Sequence, residues 1–127
     1  MSHSVPAQQL ASKRKVLSKA TVNTADILGL PKVTLAHILG VSPSTVTRLY
    51  ANTYQLTPEK KEWDFAVLLV RLFRSLDSIV GGAGDDARRW LSTENRGLAG
   101  KKPVELIQTT EGLVRVVTYL DASRGVV

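Results

Sequence analysis

The sequence predicts an all-α fold: an N-terminal helix-turn-helix domain and a C-terminal helical domain, joined by a long central helix. Three observations predict it. Leu35 to Leu49 has the pattern of two short helices joined by a tight turn. Residues 58–80 form a long apolar run behind a helix start signal. Leu113, Val116, Val117 and Leu120 recur at core-helix spacing near the end of the chain. The expected division is residues 1–56 for a tail and the helix-turn-helix, and 57–127 for the central helix and the C-terminal domain.

Residues 1–12 read as a loose tail, and a first helix is predicted from about Arg14 to Leu28. Its inward face would hold Leu17, Ala20, Thr24, Ile27 and Leu28, before Gly29 and Pro31 end it and start the next helix. Within the motif, Leu35, Ala36 and Leu39 point inward, and the small Ala36 lets the following helix cross closely. Gly40 takes the positive φ that stops the first helix, and Val41 plugs the turn. Ser42 is a good N-cap and Pro43 suits the first helical position, where no amide hydrogen is needed. On the second helix Val46, Leu49 and Tyr50 face inward. Ser44 and Arg48 then face out, with Thr45 and Thr47 on the flanks. Such a surface donates to phosphates and base edges, so Ser44, Thr45, Thr47 and Arg48 are the candidate DNA contacts.

Charge agrees with that reading. The 127-residue chain has a net charge of +6, and residues 1–55 hold six Lys/Arg against one acid, Asp26. The cationic excess therefore lies on the helix-turn-helix side, where phosphate binding needs it. Lys13, Arg14 and Lys15, with Lys19 a turn later, either touch the DNA backbone or form a solvated helix end.

Ala51 to Leu56 read as a connection, and Thr57-Pro58-Glu59 as the start of a helix running from about Pro58 to Val80. Between Phe65 and Val70 that helix is apolar on every side, which requires cover on every side. A second copy would supply it through Phe65, Leu68, Leu69 and Leu72, and a homodimer suits a two-fold operator. The alternative is a central helix wrapped by the chain's own neighbours. Gly81 to Gly84 is a break, not a phosphate loop, because no Gly-Lys-Ser/Thr follows it. Asp85 and Asp86 open a helix with Ala87, Trp90 and Leu91 on one face, and Ser92 to Gly100 is a loop. Pro103 starts a short helix to about Gln108, and the last helix runs from Glu111 to about Ser123.

Several classes are excluded. There is no cysteine, so disulfide and thiol chemistry are absent. No run approaches the ~20 apolar residues of a membrane span, and residues 1–6 lack a secretion signal, so the expected location is cytoplasmic. The two histidines, His3 and His37, have no partners at metal-ligand or catalytic spacing. No metal, no cofactor and no enzymatic activity are expected.

The second half resembles a known family. Trp90-Leu91, Asn95, Leu98, Gly100, Pro103, Val104 to Ile107, Glu111 to Leu113 and Val116 to Gly125 resemble the C-terminal domain of the Xre/MbcA/ParS antitoxins, as does Leu68 to Asp77 upstream. The likeness extends from about Val16 onward. It implies that the C-terminal domain binds a partner toxin of the RES-domain class, which depletes NAD, and obstructs its NAD site. It also implies dimers and binding of the complex to the operon's own promoter. Carried over by position, the toxin-facing candidates are Trp90, Asn95, Leu98, Arg115, Tyr119, Asp121, Arg124, Gly125, Val126 and Val127. Read physically, Trp90 at its helical spacing suits a core position more than a contact, Asn95 a backbone-shaping role, and Asp121 a pair with Arg124. The competing reading of the whole chain is a stand-alone repressor of the phage type whose C-terminal half only dimerises.

Overall fold

Apolar spacing along one helix sets the architecture. The computed structural model describes residues 6–125, so the expectations on residues 1–5, Val126 and Val127 lie outside the described residues. The described chain is all-helical, with helices α1 (Ala7–Ile27), α2 (Lys32–Leu39), α3 (Pro43–Tyr50), α4 (Glu62–Ile79), α5 (Gly84–Ser92), α6 (Pro103–Leu106) and α7 (Thr110–Ser123). A single 3-10 turn, Arg96–Leu98, interrupts the α5–α6 loop. Helix α4 buries Ala66, Leu69, Leu72, Ser75 and Leu76 along one continuous stripe and packs against α1, α2 and α7. None of these helices is long and apolar enough to cross a membrane.

That packing corrects the interface expected on α4. Leu69 and Leu72 are 0% exposed within one chain, so neither can meet a second copy. Phe65 lies against Gly40, and Leu68 is half-buried against the core. For these four residues the wrapped arrangement is the one observed.

Helix α1 begins at Ala7, not near Arg14, so residues 7–12 are helix where a tail was expected. Ala-Gln-Gln-Leu-Ala are strong helix formers, and no Gly or Pro follows Pro6 until Gly29. Its buried face is also rotated from the expected one. Ser18, Thr21, Thr24 and Ala25 are buried, whereas Ile27 is 41% exposed. These small residues satisfy their hydroxyls locally: Ser18 Oγ accepts from Leu56 N at 2.9 Å, and Thr21 Oγ1 donates to the Leu17 carbonyl at 2.7 Å.

Helix α4 begins at Glu62 rather than Pro58. Residues 57–61 instead form a turn, closed by Lys60 N donating to the Thr57 carbonyl at 3.2 Å. The organising group is the Glu62 carboxylate. It is buried, accepts from Thr57 N at 3.1 Å and takes the Tyr54 hydroxyl at 2.6 Å. Burial, reinforced by Glu62, pushes the Tyr54 hydroxyl up to about 12, so it remains a donor.

The C-terminal half closes over α4 and α1. Arg88 on α5 pairs with Asp85 and donates to the Ile27 carbonyl at 2.6 Å, tying α5 to the end of α1. Helix α7 starts with Thr109 as its N-cap, accepting from Gly112 N at 3.1 Å. Gly112 sits so close to α6 that a Cβ there would lie 1.8 Å from the Leu106 carbonyl oxygen.

Candidate functional sites

The first site is the outer face of α3. Gly40 ends α2 in the left-handed region (φ 69°), and Val41 N reaches back to the Ala36 carbonyl at 3.0 Å. Ser42 Oγ then accepts from Thr45 N at 3.1 Å, capping α3 with Pro43 in its first turn. Val46 and Leu49 are buried, which fixes the rotation of the helix. Ser44, Thr47 and Arg48 are left exposed and Thr45 half-buried. Arg48 is held by Thr45, its guanidinium donating to Oγ1 at 3.2 Å. Tyr50 is only partly inward: its ring lies 5.0 Å from the Lys32 ammonium and its hydroxyl reaches Asp26 at 3.4 Å.

Two cations that the linear reading passed over lie beside this face. Lys60 and Lys61 line a cleft of about 370 Å³ together with Thr45, Arg48 and Tyr54. They belong to the turn before α4. The basic run on α1 divides three ways. Arg14 is half-buried, and its guanidinium donates to the carbonyls of Leu56 and Gln55 at 2.9 and 3.0 Å, so it is a structural tie rather than a DNA contact. Lys15 and Lys19 lie near Leu49, Tyr50 and Asn52 at the end of α3. Lys13 faces elsewhere, into a groove lined by Trp63 and Arg124.

The second site is a surface formed by α5, the 3-10 turn and α7. Trp90 and Tyr119 stack with ring centroids 6.4 Å apart and planes inclined by 24°. Gly97 presses against the Tyr119 ring, where a Cβ would come within 2.4 Å. Arg115, one turn before Tyr119 on α7, is exposed on the same side of the helix. Asn95 shapes the loop beneath: its side chain accepts from Gly97 N at 2.8 Å, and its carbonyl from Leu98 N and Gly100 N.

Two of the expected contacts, Leu98 and Asp121, fall in the core, and Arg124 has a different partner from the one expected. Leu98 is 1% exposed and belongs to the core. Asp121 is also buried, accepting from Ser75 Oγ at 2.8 Å and pairing with Arg71, so its carboxylate joins α7 to α4. Arg124 does not pair with Asp121 but donates to Ser75 Oγ at 3.0 Å. Trp90, Tyr119, Arg115, Arg124, Gly125 and the loop backbone around Gly97 remain open to a partner. Among the described residues no group of three or more His, Asp or Glu is placed to hold a metal ion.

The fold is thus a helix-turn-helix domain carrying a separate helical binding domain. Residues 7–71 match the antitoxin Xre-like helix-turn-helix domain, and residues 75–125 match the antitoxin Xre/MbcA/ParS C-terminal toxin-binding domain. The chain belongs to this Xre/MbcA/ParS antitoxin family. It is 29% identical over 90 residues to an antitoxin Xre of Yersinia enterocolitica, an alignment covering 68% of this chain and 57% of that protein. The chain thus spans little more than half the length of that relative. It also matches a chain in the crystal structure of the M. tuberculosis MbcT–MbcA toxin–antitoxin complex, with a TM-score of 0.64 and 27% identity, over 88% of this chain and 97% of that one.

Proposed function

We propose that this chain neutralises a RES-domain, NAD-degrading toxin by obstructing its active site, and that it represses its own operon through α3 as a homodimer. The observation that supports neutralisation most is the Trp90–Tyr119 stack. It presents two rigid aromatic rings, with a cation beside them, on the domain whose family match is toxin binding. Buried aromatic and arginine side chains are the usual anchors of protein interfaces. Gly125, Val126 and Val127, carried over from the family resemblance, are the residues proposed for the toxin's NAD site. Co-expression with the toxin tests this. Deleting residues 125–127 is expected to leave the complex formed but to restore NAD loss in the cell. Full protection by the truncated chain would remove the chain end from the mechanism.

On the DNA side, Ser44, Thr45, Thr47 and Arg48 reach the bases and phosphates, with Lys60, Lys61 and Lys15 on the flanking backbone. Arg48→Ala is expected to weaken operator binding by about 1–3 kcal/mol if it reads a base, and less on unrelated DNA. Lys60→Ala with Lys61→Ala is expected to weaken binding to all sequences alike and to flatten the salt dependence. Fluorescence anisotropy on operator and scrambled duplexes at several salt concentrations distinguishes the two.

A further inference from the structure

Between α1 and α4 runs an open groove of about 580 Å³, lined by no residue of the outer face of α3 or of the Trp90–Tyr119 surface. Its apolar lining is Val16, Leu17 and Ala20 on α1 and Trp63, Val67 and Val70 on α4. Val16 is 65% exposed and Val67 45%. Exposed aliphatic side chains gathered in one groove mark an interaction surface where a single one would not. The lined stretch runs from Ser12 to Ala20 on α1 and from Trp63 to Arg74 on α4. At the rise of a helix these are about 12 and 16 Å, the length of about two to three helical turns.

Charge decides what fits there. Four cations line the groove, Lys13 on α1, Arg71 and Arg74 on α4 and Arg124 at the end of α7, and no acid does. Asp121 offsets one of them by pairing with Arg71, whose side chain is still 57% exposed. Arg124 donates to a neutral hydroxyl, Ser75 Oγ, and Arg74 makes no ion pair among the described residues. A second such groove is repelled, and an anionic surface is attracted. The cations also stand on both walls and at the end of α7, not around one point. A small ligand with a single anionic head needs donors that converge. A helix with acids along both flanks of an apolar stripe meets cations on two walls.

We propose that the groove between α1 and α4 is a docking site for an acidic amphipathic helix of a partner protein. Apolar residues at i, i+3 or i+4 and i+7 of that helix cover Val16 and Val67. Its carboxylates pair with Lys13 on one wall and with Arg71 and Arg74 on the other. The Trp63 ring, half-buried in the lining, supplies the rigid apolar area that anchors interfaces of this kind. The site goes beyond the DNA and toxin surfaces and depends on neither.

Fluorescence anisotropy of the full chain with a labelled synthetic peptide tests it. The peptide carries leucine at i, i+4, i+7 and i+11 and glutamate on both flanks. It is expected to bind about 10-fold more tightly than a peptide of the same composition in shuffled order. Arg74→Glu and Lys13→Glu, one exposed cation on each wall, are each expected to weaken it about 10-fold, with the far-ultraviolet circular dichroism unchanged. Val67→Asp is expected to weaken it as well, and Lys60→Ala with Lys61→Ala to leave it unaltered. Equal binding of the two peptides overturns the site, as does a loss caused by Lys60→Ala with Lys61→Ala instead of Arg74→Glu, since either means general attraction of polyanions. A loss with Arg74→Glu and none with Lys13→Glu overturns the two-walled seating. Sedimentation equilibrium reads a competing occupant: a dimer that Val67→Asp splits puts a second copy in the groove and overturns the proposal. Phosphatidylglycerol vesicles held through Arg74 by a chain that ignores the peptide overturn it too, in favour of a membrane contact.

Discussion

Alanine in place of Gly112 is expected to destabilise the protein by about 3 kcal/mol or more, seen as a fall in the urea midpoint. Gly112 lies in the first turn of α7, and a Cβ there would stand 1.8 Å from the Leu106 carbonyl oxygen. The obstacle is backbone, so no side chain can swing aside, and α7 has to slide along α6. That displacement is transmitted to Leu113, Val116, Val117 and Leu120, all buried against the core. It also pulls Asp121 from Ser75 and Arg71, the polar tie between α7 and α4.

Valine in place of Gly97 is expected to act the other way, sparing the fold and damaging the surface. Its Cβ would overlap the Tyr119 ring, and that ring is half-buried and free to turn outward. Turning it breaks the stack on Trp90 and redraws the surface proposed to face the toxin. A loss of about 2 kcal/mol or more in toxin affinity is expected, the size typical of a displaced aromatic anchor. Titration calorimetry against purified toxin reads it directly, and an unchanged urea midpoint shows that the core is untouched. Undiminished affinity would mean that Tyr119 lies outside the interface.

The helix-turn-helix was legible because each of its residues answers to a local cause. Gly40 has one conformation to supply, Ser42 one amide to cap, and Pro43 one position that lacks a donor requirement. The start of α4 misleads for the same reason. Thr57-Pro58-Glu59 satisfies every local cue for a helix N-terminus, yet the acid that counts is Glu62, which reaches back to Thr57 and Tyr54. The inward face of α1 was legible at Thr24 and Leu28 but not at Ser18 and Thr21, small polar residues that an apolar periodicity does not register.

The sites were legible as segments and less so as side chains. Positional resemblance brings Asp121, Leu98 and Tyr119 forward together, but only packing separates the two that face the core from the one that does not. Lys60 and Lys61 join the proposed DNA side for a tertiary reason, since the turn before α4 sets them beside Arg48. On α4, an apolar run around the whole helix implied a partner but did not say which side it covers. The chain's own α1, α2 and α7 take the Leu69 and Leu72 side and leave Val67 outward.

Two surfaces of one chain are proposed to hold two different partners. Arg48→Ala and Tyr119→Ala, each measured against operator DNA and against the toxin, test it most directly. Tyr119→Ala is expected to lose toxin binding and protection from NAD loss while keeping the affinity for DNA, and Arg48→Ala to do the reverse. Toxin binding unaffected by Tyr119→Ala and by Gly97→Val would contradict it, and would leave a DNA-binding repressor whose C-terminal half serves another purpose.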